Sequence, residues 1–87
     1  MRGTIEVPAT AGQGMKELVE EIARTLVSEP DAVLVDEKEG NVLELRVDPK
    51  DLGRVIGKQG RTARSLRAVV NAAAAKRNRH YTLEIIE

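Results

Sequence analysis

The 87-residue chain contains no cysteine, phenylalanine or tryptophan, and its one tyrosine is Tyr81. The absence of cysteine excludes disulfides and thiolate metal ligands, a composition that suits a reducing compartment. Without large aromatic side chains the core must be built from Leu, Val, Ile and Ala, so it is shallow and its stability moderate. His80 is the only histidine and has no cysteine to join it. Neither a metal site nor Cys/His catalysis is expected, and no catalytic residue or cofactor is assigned. No apolar run approaches the roughly 20 residues that a membrane span requires. The N-terminus lacks the basic-then-apolar order of a secretion signal. These absences lead to the expectation of a cytoplasmic protein with no membrane contact, and the length allows one domain.

Net charge is also missing, since 14 Lys+Arg balance 14 Asp+Glu. The balance hides a strong asymmetry. From Met15 to Asp48 four basic residues face ten acidic ones, whereas from Lys50 to His80 nine basic residues face Asp51 alone. Local field matters more than the sum, so the neutral total does not argue against a polyanionic partner. Apolar residues at helical spacing interleave the basic block, which marks it as a folded surface.

Residues 1–14 carry small residues and two late glycines, and the expectation is a flexible arm. Met15 opens the first patterned segment so cleanly that it is a candidate alternative start, which mass spectrometry of the native protein would decide. Residues 15–87 then form the domain. Met15, Leu18, Val19, Ile22 and Leu26 keep one helical face, so a helix is expected over Met15–Ser28, ended by Pro30. Val33 and Val35 alternate with Leu34 and Asp36, and Leu43, Leu45 and Val47 with Glu44 and Arg46. The turn signal Lys38-Glu39-Gly40-Asn41 joins these two strands as a hairpin.

Asp48-Pro49-Lys50-Asp51 reads as a helix start, with Asp48 as cap, Pro49 at the first position and Asp51 as a first-turn acid. Leu52, Val55 and Ile56 form the apolar side of this short helix, and Gly57 stops it. A second helix is expected from near Gly60 to Lys76, with Ala63, Leu66, Val69, Val70 and Ala73 on one face. Arg61, Arg64, Arg67 and Asn71 take the other face. After a short basic loop at residues 77–80, Tyr81–Ile86 reads as a last strand. The order is helix, strand, strand, helix, helix, strand. A strand reached after two helices is expected to run parallel to its neighbour, giving an α+β fold with a three-stranded mixed sheet and helices on one face.

The stretch Ile56-Gly57-Lys58-Gln59-Gly60-Arg61 lies at the seam between those two helices. Its glycines allow a sharp turn and close approach of a ligand to the main chain. The helix that follows presents free amides and its positive dipole end, an arrangement suited to phosphate. Lys58 adds a point charge in the loop, and Arg61 and Arg64 extend the basic face by a turn; Arg54 lies one turn before. GxxG between two amphipathic helices is the signature of a KH module, which clamps a nucleotide backbone. Bases would lie over an aliphatic floor that includes Ile56, and without an aromatic platform affinity per base should be low. The competing reading is a plain helical corner in which both glycines serve the bend alone.

From Met15 to Glu87 the chain resembles the small single-KH bacterial RNA-binding proteins of the KhpA family. The resemblance is carried by Lys16-Glu17-Leu18-Val19, Leu43-Glu44-Leu45-Arg46-Val47, Gly53 to Arg61 and the alanine run Ala72–Ala75. It implies the type II KH fold, RNA binding in the cytoplasm, and Gly57, Lys58, Gln59 and Gly60 as the RNA-clamping loop. It also implies a second KH-type RNA-binding protein, of the Jag/KhpB kind, as partner, and in some bacteria a link to cell shape and cell-wall synthesis. The arm before Met15 departs from the family pattern.

Other motifs carry less. Gly53 to Lys58 is one residue short of a P-loop, has Gln59 where a magnesium-binding Ser or Thr belongs, and does not follow a strand. Asp36, Glu37 and Glu39 sit on a hairpin end as solvated charge. The sequence thus points to a non-enzymatic binder of single-stranded RNA through residues 54–64, acting as a post-transcriptional regulator or RNA chaperone. The rival readings are a protein-interaction module and a single-stranded DNA binder. A site about four nucleotides long binds weakly, so self-association or a partner module is expected.

Overall fold

In a computed structural model, residues 14–87 are described. The arm expected over residues 1–14 therefore lies, Gly14 apart, outside the described residues. The remainder folds as helix α1 (Met15–Leu26), strands β1 (Leu34–Lys38) and β2 (Val42–Arg46), helices α2 (Leu52–Ile56) and α3 (Arg61–Lys76), and strand β3 (Thr82–Ile85). This is the order the patterning predicts.

Helix α1 buries Met15, Val19 and Ala23, with Leu18, Ile22 and Leu26 packed beside them. It stops at Leu26, two residues short of the expected end. Val27 is already extended at φ −104°, ψ 161°, and the next two amides, Ser28 N and Glu29 N, donate to the Asp51 carboxylate instead of continuing the helix. A tertiary acceptor has ended the helix ahead of the proline.

The sheet order is β1-β2-β3. β1 and β2 pair antiparallel from Leu34↔Arg46 to Lys38↔Val42, around a turn in which Gly40 and Asn41 are left-handed. β2 and β3 pair parallel from Val42↔Thr82 to Leu45↔Ile85, as the helical return requires. Alternation puts Val35, Leu43, Leu45 and Leu83 on the inner face, buried under the helices. α1 packs on β1 and α3 on β3, while α2 contacts both helices at one end. The opposite face is open and carries Asp36, Glu44 and Glu84 side by side in register.

Helix α3 buries Ala63, Leu66, Val70 and Ala74, spaced three, four and four apart. Val69, expected on this face, is 43 % exposed, because it lies about 100° around the helix from Val70. Arg67 is exposed, as expected with Arg61 and Arg64. It flanks the buried stripe, and its Nε donates to the Leu83 carbonyl of β3 at 3.2 Å.

Candidate nucleic-acid interface

The interface is built around the chain's passage from α2 to α3. Asp48 starts the approach: its carboxylate accepts the Lys50 amide at 3.0 Å, and Pro49 opens a short 3₁₀ turn that leads into α2. This is the cap that the sequence foretells. α2 closes with Gly57 N donating to Gly53 O at 2.8 Å.

Gly57 then takes φ 77°, ψ 171°, a conformation essentially closed to other residues. A Cβ there would strike Thr62, within 2.7 Å of its backbone nitrogen. Gly57 is thus required twice, for its dihedral angles and for the close packing of the loop on the first turn of α3. Gly60, at φ 75°, ψ 13°, differs: a Cβ would meet nothing nearer than 3.9 Å, so only its left-handed backbone calls for glycine.

Between the glycines the chain makes one 3₁₀ turn, closed by Gly60 N to Gly57 O at 3.1 Å and by the Arg61 amide to Lys58 O. Lys58 and Gln59 are exposed at its tip, while Ile56, Gly57 and Gly60 are half-buried. No side chain caps the start of α3. The first amides of a helix have no intrahelical acceptor; here the Arg61 amide is taken by the Lys58 carbonyl, and no side chain covers those that follow.

The structure gathers Gln59, Arg61 and Arg64 at this tip. Arg64 Nη1 donates to the Gln59 carbonyl at 3.2 Å, and Arg61 Nη2 approaches Gln59 Oε1 at 3.5 Å. Arg54 is engaged elsewhere. Its Nε lies 3.4 Å from Asp51 Oδ1, with the side chain still 63 % exposed.

Asp51 is the residue whose importance sequence reasoning missed. Its side chain is buried and accepts Ser28 N at 3.0 Å, Ser28 Oγ at 2.8 Å and Glu29 N at 3.1 Å, beside Arg54. Burial alone would raise its pKa. The Ser28 amide and hydroxyl, the Glu29 amide and Arg54 together outweigh that and hold it below the ordinary value of 3.8. One signal was visible in the sequence: Asp51 is the single acid among nine basic residues.

Arg67 keeps the exposed face expected of it, but its bond to β3 and the groups beside it went unnoticed. It borders a hollow of about 230 Å³ between α3 and β3, with Val70, Asn71, His80, Tyr81 and Leu83 in the wall. Residue 67 lies seven positions along α3 from Gly60, about 10 Å at helical rise. The loop and the hollow therefore lie along the same helix. The cations Arg61 and Arg64 gather with Lys58 at the loop, so the local charge there is positive although the total charge is zero. Among the described residues no group of three His, Cys, Asp or Glu side chains is placed to hold a metal ion, and no helix is long and apolar enough to cross a membrane.

A Gly-x-x-Gly turn joining two helices, on a three-stranded mixed sheet closed by a parallel return strand, defines a type II KH domain. The family model described as KhpA/KhpB, KH domain, matches residues 16–85, and the chain belongs to that family. Among its relatives, "RNA-binding protein KhpA" of Clostridium perfringens is 55 % identical over 75 residues, covering 83 % of this chain and all of that protein. The protein of the same name from Halalkalibacterium halodurans is 57 % identical over 76 residues, 84 % of this chain and all of the relative. That from Aquifex aeolicus is 50 % identical over 76 residues, 84 % of this chain and 96 % of the relative.

Proposed function

We propose that the chain binds single-stranded RNA, with the loop Gly57-Lys58-Gln59-Gly60 gripping the phosphodiester backbone. The observation that carries this reading is the loop itself: two glycines at positive φ, an uncapped helix start behind them, and Lys58, Arg61 and Arg64 around it. Relatives at 50 % identity and above are named RNA-binding proteins, which supports the same ligand. Main-chain amides and cations recognise phosphate without reading bases, so sequence preference is modest. A strand leaving the loop along α3 runs past Arg67 to the hollow beside His80 and Tyr81, where a base can settle out of water.

The role we assign is non-enzymatic, that of a small cytoplasmic post-transcriptional regulator or RNA chaperone. One module grips few phosphates, so useful affinity calls for a second one. A KhpB-like protein or another copy of this chain would supply it, and cell shape and cell-wall synthesis are the processes the family resemblance implies. Replacing Lys58 and Gln59 together by Asp tests the site. The double variant should keep the far-ultraviolet spectrum and lose RNA binding by at least tenfold. Unchanged binding would defeat the assignment. If three or four phosphates are neutralised, log K should fall with log salt at a slope of about −2 to −3, and a slope near zero would count against a phosphate grip. Deoxy oligonucleotides in parallel decide between RNA and single-stranded DNA.

A further inference from the structure

We propose that Arg64 is a positioning residue that braces the left-handed turn of the loop before any ligand arrives, with Gln59 as the hub it acts on. The inference rests on the reading of residues 57–60 as the RNA contact.

Gln59 is a non-glycine residue at φ 57°, ψ 27°, and Gly60 follows at φ 75°, ψ 13°. Gly60 enters the left-handed region freely, but a glutamine there is unfavourable, lacking the short polar side chain that lets Asn or Asp bond locally, and it gains from any outside contact that holds it. The turn's own bonds, Gly60 N to Gly57 O and the Arg61 amide to Lys58 O, leave the Gln59 carbonyl unused. Arg64, from the first turn of α3, supplies a donor to it with Nη1 at 3.2 Å. Arg61 approaches the same residue through its side-chain oxygen at 3.5 Å. Two guanidinium groups therefore converge on one exposed glutamine despite their like charge.

The chemistry of guanidinium makes this a double role. It has five N–H donors in a rigid fork, so one can hold the carbonyl while others face a phosphate oxygen. A lysine ammonium is a compact charge on a flexible stem, and it cannot reproduce both contacts in fixed geometry. A residue that served only as a phosphate charge would tolerate Arg64→Lys. A brace would not.

The test is a double-mutant cycle in the full chain, combining Arg64→Lys with Gln59→Gly. Binding is read with a labelled ten-nucleotide RNA of randomised sequence. Amide hydrogen exchange at Gly60 is read by NMR in the free protein. Arg64→Lys should weaken binding about tenfold and speed Gly60 exchange several-fold with no RNA present. In the Gln59→Gly background the same change should cost no more than about threefold, because glycine enters the left-handed region without a brace. An equal loss in both backgrounds with unaltered exchange would reduce Arg64 to a phosphate charge and overturn the inference. The two readings fail separately. Full binding by the Lys58→Asp, Gln59→Asp variant would remove the RNA site, while exchange in the free protein would still report on the brace.

Discussion

Helix α2 is flanked by two turns that solve opposite problems. Before it, the Asp51 carboxylate is buried and takes three hydrogen bonds from Ser28 and Glu29 together with the Arg54 guanidinium. After it, the Gly57–Gly60 turn holds its backbone in strained geometry, with Lys58 and Gln59 in water and the helix start uncapped. The first turn is closed, and a closed polar network anchors structure. The second is open, and its donors in fixed positions are what the proposed RNA contact requires. A five-residue helix is too short to be stable alone, so α2 depends on the anchor before it and on its packing against the other helices.

The contrast can be broken at either end. Asp51→Ala should have the largest effect, lowering Tm by about 10–15 °C, since it removes a buried carboxylate, takes the acceptor from two part-buried amides and leaves Arg54 without its acid. The same group sets a pH dependence that acid titration of the fold can check. Its folded pKa lies below the unfolded value, so its stabilisation is complete above about pH 4 and drains away as pH falls through the lower folded value. Substitution of Ser28 by Ala should shrink that acid-side loss.

Gly57→Ala comes next. Forcing a Cβ against Thr62 and a side chain into that conformation should cost about 2 kcal/mol in denaturant unfolding and weaken RNA binding at least tenfold. Gly60→Ala has open space around it and should cost about 1 kcal/mol, the ordinary penalty of a left-handed residue. Equal losses at the two glycines would mean that packing on Thr62 contributes nothing. Smallest of all is Lys50→Ala. Its exposed 3.0 Å pair with Glu29 raises the Lys50 pKa through that hydrogen bond and charge, yet Tm should not move measurably.

Features set by period were legible in the chain. Alternation at Val33, Val35, Leu43 and Leu45 placed the sheet's buried face, and Asp48-Pro49 marked the 3₁₀ turn that leads into the short helix, which itself begins three residues later at Leu52. Features set by distant partners were not. Nothing near Ser28 says that Asp51, 23 positions away, will take its amide and end α1 early. Val69 looked apolar enough for the core, but only the true axis of the Ala63–Leu66–Val70–Ala74 stripe shows that it lies outside. In the loop, the residue types were readable and the backbone was half readable. Glycines at 57 and 60 announced positive φ, whereas the left-handed Gln59 between them had no mark in the sequence.

The parallel pairing of β2 with β3 bears on how the molecule comes to exist. The hairpin closes between Lys38 and Val42, four residues apart, but Leu43 must find Leu83 across forty. Chain-closure entropy makes the hairpin early and the parallel pairing late. α2, the loop and α3 all lie inside that long closure. The turn therefore takes its final packing beside the sheet only once β3 has docked. Amide exchange on a chain truncated before Tyr81 should show an open loop beside an intact β1–β2 hairpin.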